Sequence, residues 1–215
     1  MKKLLTTILI LLITNSVYAA IDHDKAVELQ KAWDRISFEI KDQKQQKKEF
    51  QTLSETAENY LNQYPNSAEI KAWAGIILST EAGFYKLNIP KAIKKITRAK
   101  DVLEQGLDLD PKTLDGGIYS SLGLIYFEVP GKPLGFGDKE LAKTFLLKGI
   151  EISNGGMIAN YFTGQYYFNE KEYNKALEFF EAATKGNFQE NREIAKAGTL
   201  KEINQWIKKT KEKLN

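Results

Sequence analysis

The chain has no cysteine, a single histidine and only five prolines in 215 residues. Without cysteine there is no disulfide framework, no thiolate metal site and no thiol nucleophile, so stability has to come from packing alone. The one histidine, His23, stands near the start of the chain, where a solvated, frayed position is the expectation; without a histidine in the body, serine and cysteine triads are excluded. Prolines and isolated glycines fall between apolar stretches rather than inside them, and alternating period-two runs are nearly absent, which argues against a sheet. Charge of one sign is scarce too. The formal charge of +3 falls to +1 once Lys2 and Lys3 are set aside, 31 less 2 basic residues against 28 acidic ones, so nothing electrostatic points to nucleic acid.

The start of the chain reads as a targeting segment. Lys2 and Lys3 precede an apolar run from Leu4 to Ile13, and Val17 and Ala19 occupy the small-residue positions before a cut. That is the layout of a secretory signal peptide over 1–19, too short to span a bilayer, with the mature chain beginning at Ala20. No cysteine follows the run, so no lipid attachment point exists. A periplasmic protein with no stable membrane anchor is expected. About 195 residues then remain, enough for one domain with a real core.

The remainder is read as helices from the 3.6-residue period. Ala26, Leu29, Trp33, Ile36 and Ile40 make one apolar stripe; Lys41–Lys48 reads as a polar bridge; Phe50, Leu53, Ala57, Tyr60, Leu61 and Tyr64 make the next. Pro65-Asn-Ser ends that helix and caps another. Further on, Gly164 is followed by Tyr167, Ala176, Phe180 and Ala183, at offsets of 3, 12, 16 and 19. Small residues at such intervals let one helix approach another, and larger ones would overpack. Tyr119, Leu122, Gly123 and Tyr126 with Ala142, Leu146 and Gly149 repeat the theme with seven extra residues between glycine and alanine, and Gly75 with Ala99, Leu103, Gly106 and Pro111 repeats it with twelve.

This spacing resembles the tetratricopeptide repeat (TPR), a helical hairpin whose helices A and B nest through small side chains. The expected fold is all-α, a TPR-like, right-handed α-solenoid of antiparallel helical hairpins: a degenerate capping hairpin over 20–68, repeats over 69–111, 115–154 and 157–188, and a capping helix over 190–213. Ile194, Ala197, Leu200, Ile203 and Ile207 form the expected apolar face of that last helix. Over roughly residues 70 to 205, the runs Tyr119-Ser-Ser-Leu-Gly-Leu-Ile-Tyr126, Val129-Pro-Gly-Lys-Pro-Leu-Gly-Phe-Gly-Asp138 and Asn160-Tyr-Phe-Thr-Gly164 are similar to exported bacterial TPR proteins of uncharacterised function. The chain departs from them at Lys132, where tryptophan is frequent, and over Asn187–Arg192, where a proline-rich stretch is frequent. A more distant likeness is to the T-component of TRAP transporters, a periplasmic accessory to solute uptake.

The glycine-rich segment 129–140 fits no phosphate or calcium pattern. Pro133 follows Gly131-Lys132 where a P-loop needs serine or threonine, Glu140 stands where a dinucleotide loop needs its third glycine, and only Asp138 and Glu140 offer oxygen ligands. It reads as a stiff elbow, with Asp138 as a helix cap and Phe136 either pinned to the bundle or open to a guest. Glu178 and Glu181, and Lys208, Lys209, Lys211 and Lys213, read as solvated faces. No cofactor, metal or catalytic residue is expected.

The resemblance implies recognition through a concave surface made by helix A. The residues expected there are Ser120, Leu124 and Phe127 in one unit and Tyr161, Gln165, Phe168 and Asn169 in the next, with Phe136 on the rim; burial of these aromatics by a neighbouring helix is the alternative. A non-catalytic module for a protein or peptide partner in the cell envelope is the leading functional expectation, with a small solute for a transporter as the other. A groove open at both ends favours the first, an enclosed cavity the second.

Overall fold

The computed structural model describes residues 21–85 and 87–215, so the signal peptide expectation lies outside the described residues. Among the described residues there are nine α-helices and no strand. They are α1 (21–38), α2 (Gln43–Gln63), α3 (Ala68–Ala82), α4 (Ile89–Leu109), α5 (Thr113–Glu128), α6 (Lys139–Ile152), α7 (Met157–Asn169), α8 (Tyr173–Ala183) and α9 (Glu193–Leu214). A short 3-10 turn, Gly83–Tyr85, lies between α3 and α4.

Capping chemistry sets the boundaries. Asp42, Ser67, Asn88 and Asp138 each accept a backbone N–H from three residues on, satisfying donors that a helix start leaves unpaired. The stretch expected as a polar bridge is largely helix, because α2 begins at Gln43 behind its Asp42 cap. Glutamine and lysine are good helix formers, and their missing apolar period says only that this turn is solvated.

The helices pair as the repeat spacing predicts. α3 packs on α4, α5 on α6 and α7 on α8, and the odd-numbered helices α3, α5, α7 and α9 also pack in succession. In each hairpin the helix A glycine faces the helix B residue four positions after the buried alanine. A Cβ on Gly123 would lie 2.6 Å from Leu146 Cγ, one on Gly164 would lie 2.6 Å from Phe180 Cδ1, and one on Gly75 would collide with Leu103. Ala99, Ala142 and Ala176 are fully buried beside them. The chain is thus an all-α, TPR-like solenoid of antiparallel hairpins.

The two insertions are built differently. In the α3–α4 hairpin the extra residues go into the 3-10 turn and into α4 itself, which starts ten residues before Ala99, whereas α8 starts three before Ala176. In the α5–α6 hairpin they form the loop 129–138, where Gly137 and Asp138 donate backbone N–H groups to Pro130 and Tyr126 at 2.9 Å each. A side chain at Gly135 would meet the Pro130 carbonyl oxygen at 2.5 Å, so this elbow needs glycine there. Phe136 is pinned edge-on to Tyr126, with ring centroids 5.7 Å apart.

The face of α9 is the expected one at Leu200, Ile203 and Ile207, which pack on the core, but not in its first turns. Ala195, Thr199, Ile203 and Thr210 are buried, while Ile194 and Ala197 are exposed. In those first turns the stripe is shifted because they do not merely cover α8. Gly198 lies against Phe38 of α1, so closely that no Cβ would fit.

Candidate functional site

That contact closes the concave side of the solenoid. Asp34 of α1 and Arg192, the residue capping α9, form a two-point ion pair with Nε–Oδ2 and Nη2–Oδ1 distances of 3.0 and 2.6 Å. Arg192 also donates to Gln189 Oε1 at 2.8 Å, and its guanidinium lies 4.8 Å from the Trp73 ring centre and 5.2 Å from that of Phe188. Charge, stacking and hydrogen bonding thus fix the first helix to the last.

Inside the ring of α1, α3, α5, α7 and α9 lies a cavity of about 350 Å³. Its wall is mostly apolar. Trp33 stands on α1, Trp73 and Ile76 on α3, Gly117, Ser120 and Ser121 on α5, Met157, Ile158 and Phe162 on α7, and Ala195 and Thr199 on α9. The two indoles are 6.2 Å apart at a tilt of 51°, and Trp33 Nε1 donates to Thr80 Oγ1 at 3.0 Å, which fixes its ring.

A second, polar recess of about 810 Å³ shares Trp73, Leu114, Asp115 and Gln189 with the first and forms its vestibule. Leu114 and Asp115 hold left-handed backbone conformations at this junction (φ 52° and 51°), a conformation costly for side chains of their kind. In the vestibule His23 Nδ1 is 2.7 Å from Glu69 Oε2, and that hydrogen bond raises the imidazole above its ordinary value. Asp110 orders the turn nearby by accepting from the Lys112 N–H and the Thr113 hydroxyl.

Of the eight residues expected on the recognition surface, Ser120 alone lines the cavity. Leu124 and Gln165 are half-buried, Asn169 is exposed and donates to the Gln165 carbonyl, and Phe127 sits edge-on to Tyr166 at 5.3 Å. Phe136 is held by Tyr126 as above. Tyr161 and Phe168 are buried. Tyr161 donates to Glu202 Oε2 at 3.1 Å, and burial first and Glu202 second push its phenol well above the usual range. Phe168 lies 5.0 Å from Trp206 and 5.3 Å from Tyr173.

The eight therefore do not make one concave surface, and helix geometry explains why. At about 100° per residue, positions three before and four after the matched glycine lie within about 60° of it, on the face that packs against helix B. Positions two before the glycine lie about 160° away. Those are Trp73, Ser121 and Phe162, and all three line the cavity. That offset was the available signal. Trp33 and Arg192 had no such marker.

Among the described residues no group of three or more His, Cys, Asp or Glu side chains is placed to hold a metal ion. What the arrangement offers is a largely apolar hollow, open on part of its surface, with a few hydroxyls on its wall and a polar recess beside it.

The sequence matches no family model and no curated protein. Solved structures similar to it include the following two. One is described as "Crystal structure of MamA", with 22% identity over 80% of this chain and 92% of that one at a TM-score of 0.42. The other is described as "Functional Characterization of Pseudomonas Aeruginosa pilF", with 16% identity over 90% of this chain and 91% of that one at a TM-score of 0.33.

Proposed function

We propose that the protein is a non-catalytic binding module, exported to the cell envelope, that receives a compact and mostly apolar guest inside the helical ring. The observation that carries this reading is the seam between α1 and α9, which turns a concave face into a cavity of about 350 Å³. That volume lies in the range of small-molecule sites, and aromatic walls with a few hydroxyls are their usual lining. An extended peptide needs a groove free at both ends. A small solute does not, so the transport-accessory expectation gains over recognition of a long peptide. Export itself rests on the Lys2–Ala20 pattern; the mass of the protein recovered from a periplasmic extract tests it.

A protein partner is the second reading, favoured by the vestibule of about 810 Å³, which has room for a loop that presents one bulky apolar side chain to the cavity.

Nile red, a neutral solvatochromic dye, tests the cavity directly. Saturable one-to-one binding with a blue shift is expected, and Ser121→Phe, which fills the cavity from its α5 wall, should abolish it while helicity by circular dichroism stays unchanged. Equal binding by the folded variant overturns the assignment. Capture of an envelope protein by the wild type but not by Ser121→Phe, without dye binding to either, selects the second reading.

A further inference from the structure

The two insertions have no part in the cavity, yet they carry the three most exposed large apolar side chains among the described residues. Leu87 is 104% exposed, Leu134 73% and Ile89 56%. α3 and α5 pack side by side with the same glycine-centred register, so they run in the same direction and the insertions that follow them leave from one edge of the solenoid. Phe136 ties the second insertion to α4 at Lys100, whose Nζ lies 5.8 Å from its ring centre. Lys100 is eleven residues, about 16 Å of helix, from Ile89 at the start of α4. The apolar tips thus lie along one edge of the molecule, with that length of helix between Ile89 and the anchor of the second tip.

The two segments that carry the tips hold no acidic residue. No acidic residue occurs between Glu81 and Asp101, where Lys95, Arg98 and Lys100 form ion pairs with Glu81, Glu58 and the Asp101 and Glu104 carboxylates but Lys91 and Lys94 form none among the described residues, and none occurs between Glu128 and Asp138, where Lys132 stands. Lys91, Lys94 and Lys132 are exposed. Of the acidic groups elsewhere on this edge, Asp42 and Asp138 cap helices and Glu170 and Glu172 pair with Lys139 and Lys175, while Glu39 and Glu140 are exposed and set a limit on the positive field.

We infer that this edge docks on an anionic lipid surface, with Leu87, Ile89 and Leu134 entering the interface and Lys91, Lys94 and Lys132 meeting lipid phosphates. The tips are convex, so they suit a soft, penetrable phase better than a partner that must supply a pocket for each. Aliphatic groups supply burial and lysines supply attraction to negative headgroups, the two elements of reversible interfacial binding. Pro90 and Pro133 each stand beside a tip and fix φ there. No described helix is long and apolar enough to cross a membrane, so docking of this kind is peripheral.

The absence of native cysteine allows a direct test. The protein is labelled with an NBD dye at Leu87→Cys, Leu134→Cys or, on the opposite edge, Asn154→Cys, and mixed with vesicles of phosphatidylcholine alone or with roughly 30% phosphatidylglycerol. Brightening and a blue shift are expected at 87 and 134 with the anionic vesicles only, with no change at 154. Salt of about 0.5 M should reverse the signal. Lys91→Glu, Lys94→Glu and Lys132→Glu together should weaken partition roughly tenfold or more with helicity unchanged. A silent label at 87 and 134, an equal response at 154, or partition untouched by charge reversal overturns the inference. So does brightening with an acidic envelope protein but not with vesicles. The cavity assignment survives any of these.

Discussion

Asp34 and Arg192 are 158 residues apart in the chain and meet through two nitrogen–oxygen contacts, with side chains only 12% and 9% exposed. A pair this deep is sensitive to losing one member, because the survivor is left charged and poorly solvated. Asp34→Ala or Arg192→Ala should lower stability by about 3 to 5 kcal/mol in urea unfolding and weaken dye binding in the cavity. Replacing both with apolar residues should recover much of the stability. Single variants as stable as the wild type would remove the pair from its closing role.

The glycines divide by what they face. Gly123→Ala and Gly164→Ala should each cost about 1 to 3 kcal/mol, since the new methyl would press on Leu146 or Phe180. Gly83 has right-handed helical angles (φ −59°) and nothing within 4 Å of its virtual Cβ, so Gly83→Ala should be neutral or stabilising by up to about 1 kcal/mol. Thermal unfolding of the three variants checks the contrast.

Glu81 is buried between α2, α3 and α4. Burial taken alone raises its carboxyl, but Lys95 and the Tyr85 hydroxyl outweigh it and hold the group below its ordinary value of 4.5. Lys95 Nζ is 2.6 Å away, and the Tyr85 hydroxyl donates at 2.6 Å while accepting from Gln51. A depressed carboxyl contributes stability that is present above its unfolded value and is lost as pH falls through the folded one. Unfolding free energy measured from pH 7 downward should therefore drop below about pH 4.5, and Glu81→Gln should flatten that limb. An unchanged slope would contradict the assignment.

Phe168 packs against Trp206 and Tyr173 and faces no open groove. Phe168→Ala should cost about 3 to 5 kcal/mol and blunt the α7–α9 contact. Phe136→Ala, at a half-buried ring on the loop, should cost less. Equal small losses at both sites would restore the exposed surface that helix A was expected to offer.

How far the sequence was legible follows from where the signals reside. Nesting of helix pairs is local: a glycine and an alanine at set intervals need only their own hairpin, and Gly75, Gly123 and Gly164 all meet the residues that spacing implies. The cap at Asp138 is equally local. Arg192 meets α1 only after the curvature of four hairpins has accumulated, and Trp33 stands in a hairpin without the glycine marker, so no short pattern announces either. Tyr161 and Phe168 were expected on the surface because neighbouring positions on a helix alternate between faces faster than a simple count suggests. Trp73, Ser121 and Phe162 share one offset and were within reach of the angular argument.

The seam has a thermodynamic corollary. Linear repeat arrays fray from their ends, because a terminal unit has a single neighbour to lose. Here the first and last helices are neighbours of each other through Phe38, Gly198 and the Asp34–Arg192 pair, so neither is a free end. Melting should be cooperative, in one transition across all hairpins, and amide exchange in α1 and α9 should be as slow as in the middle of the chain.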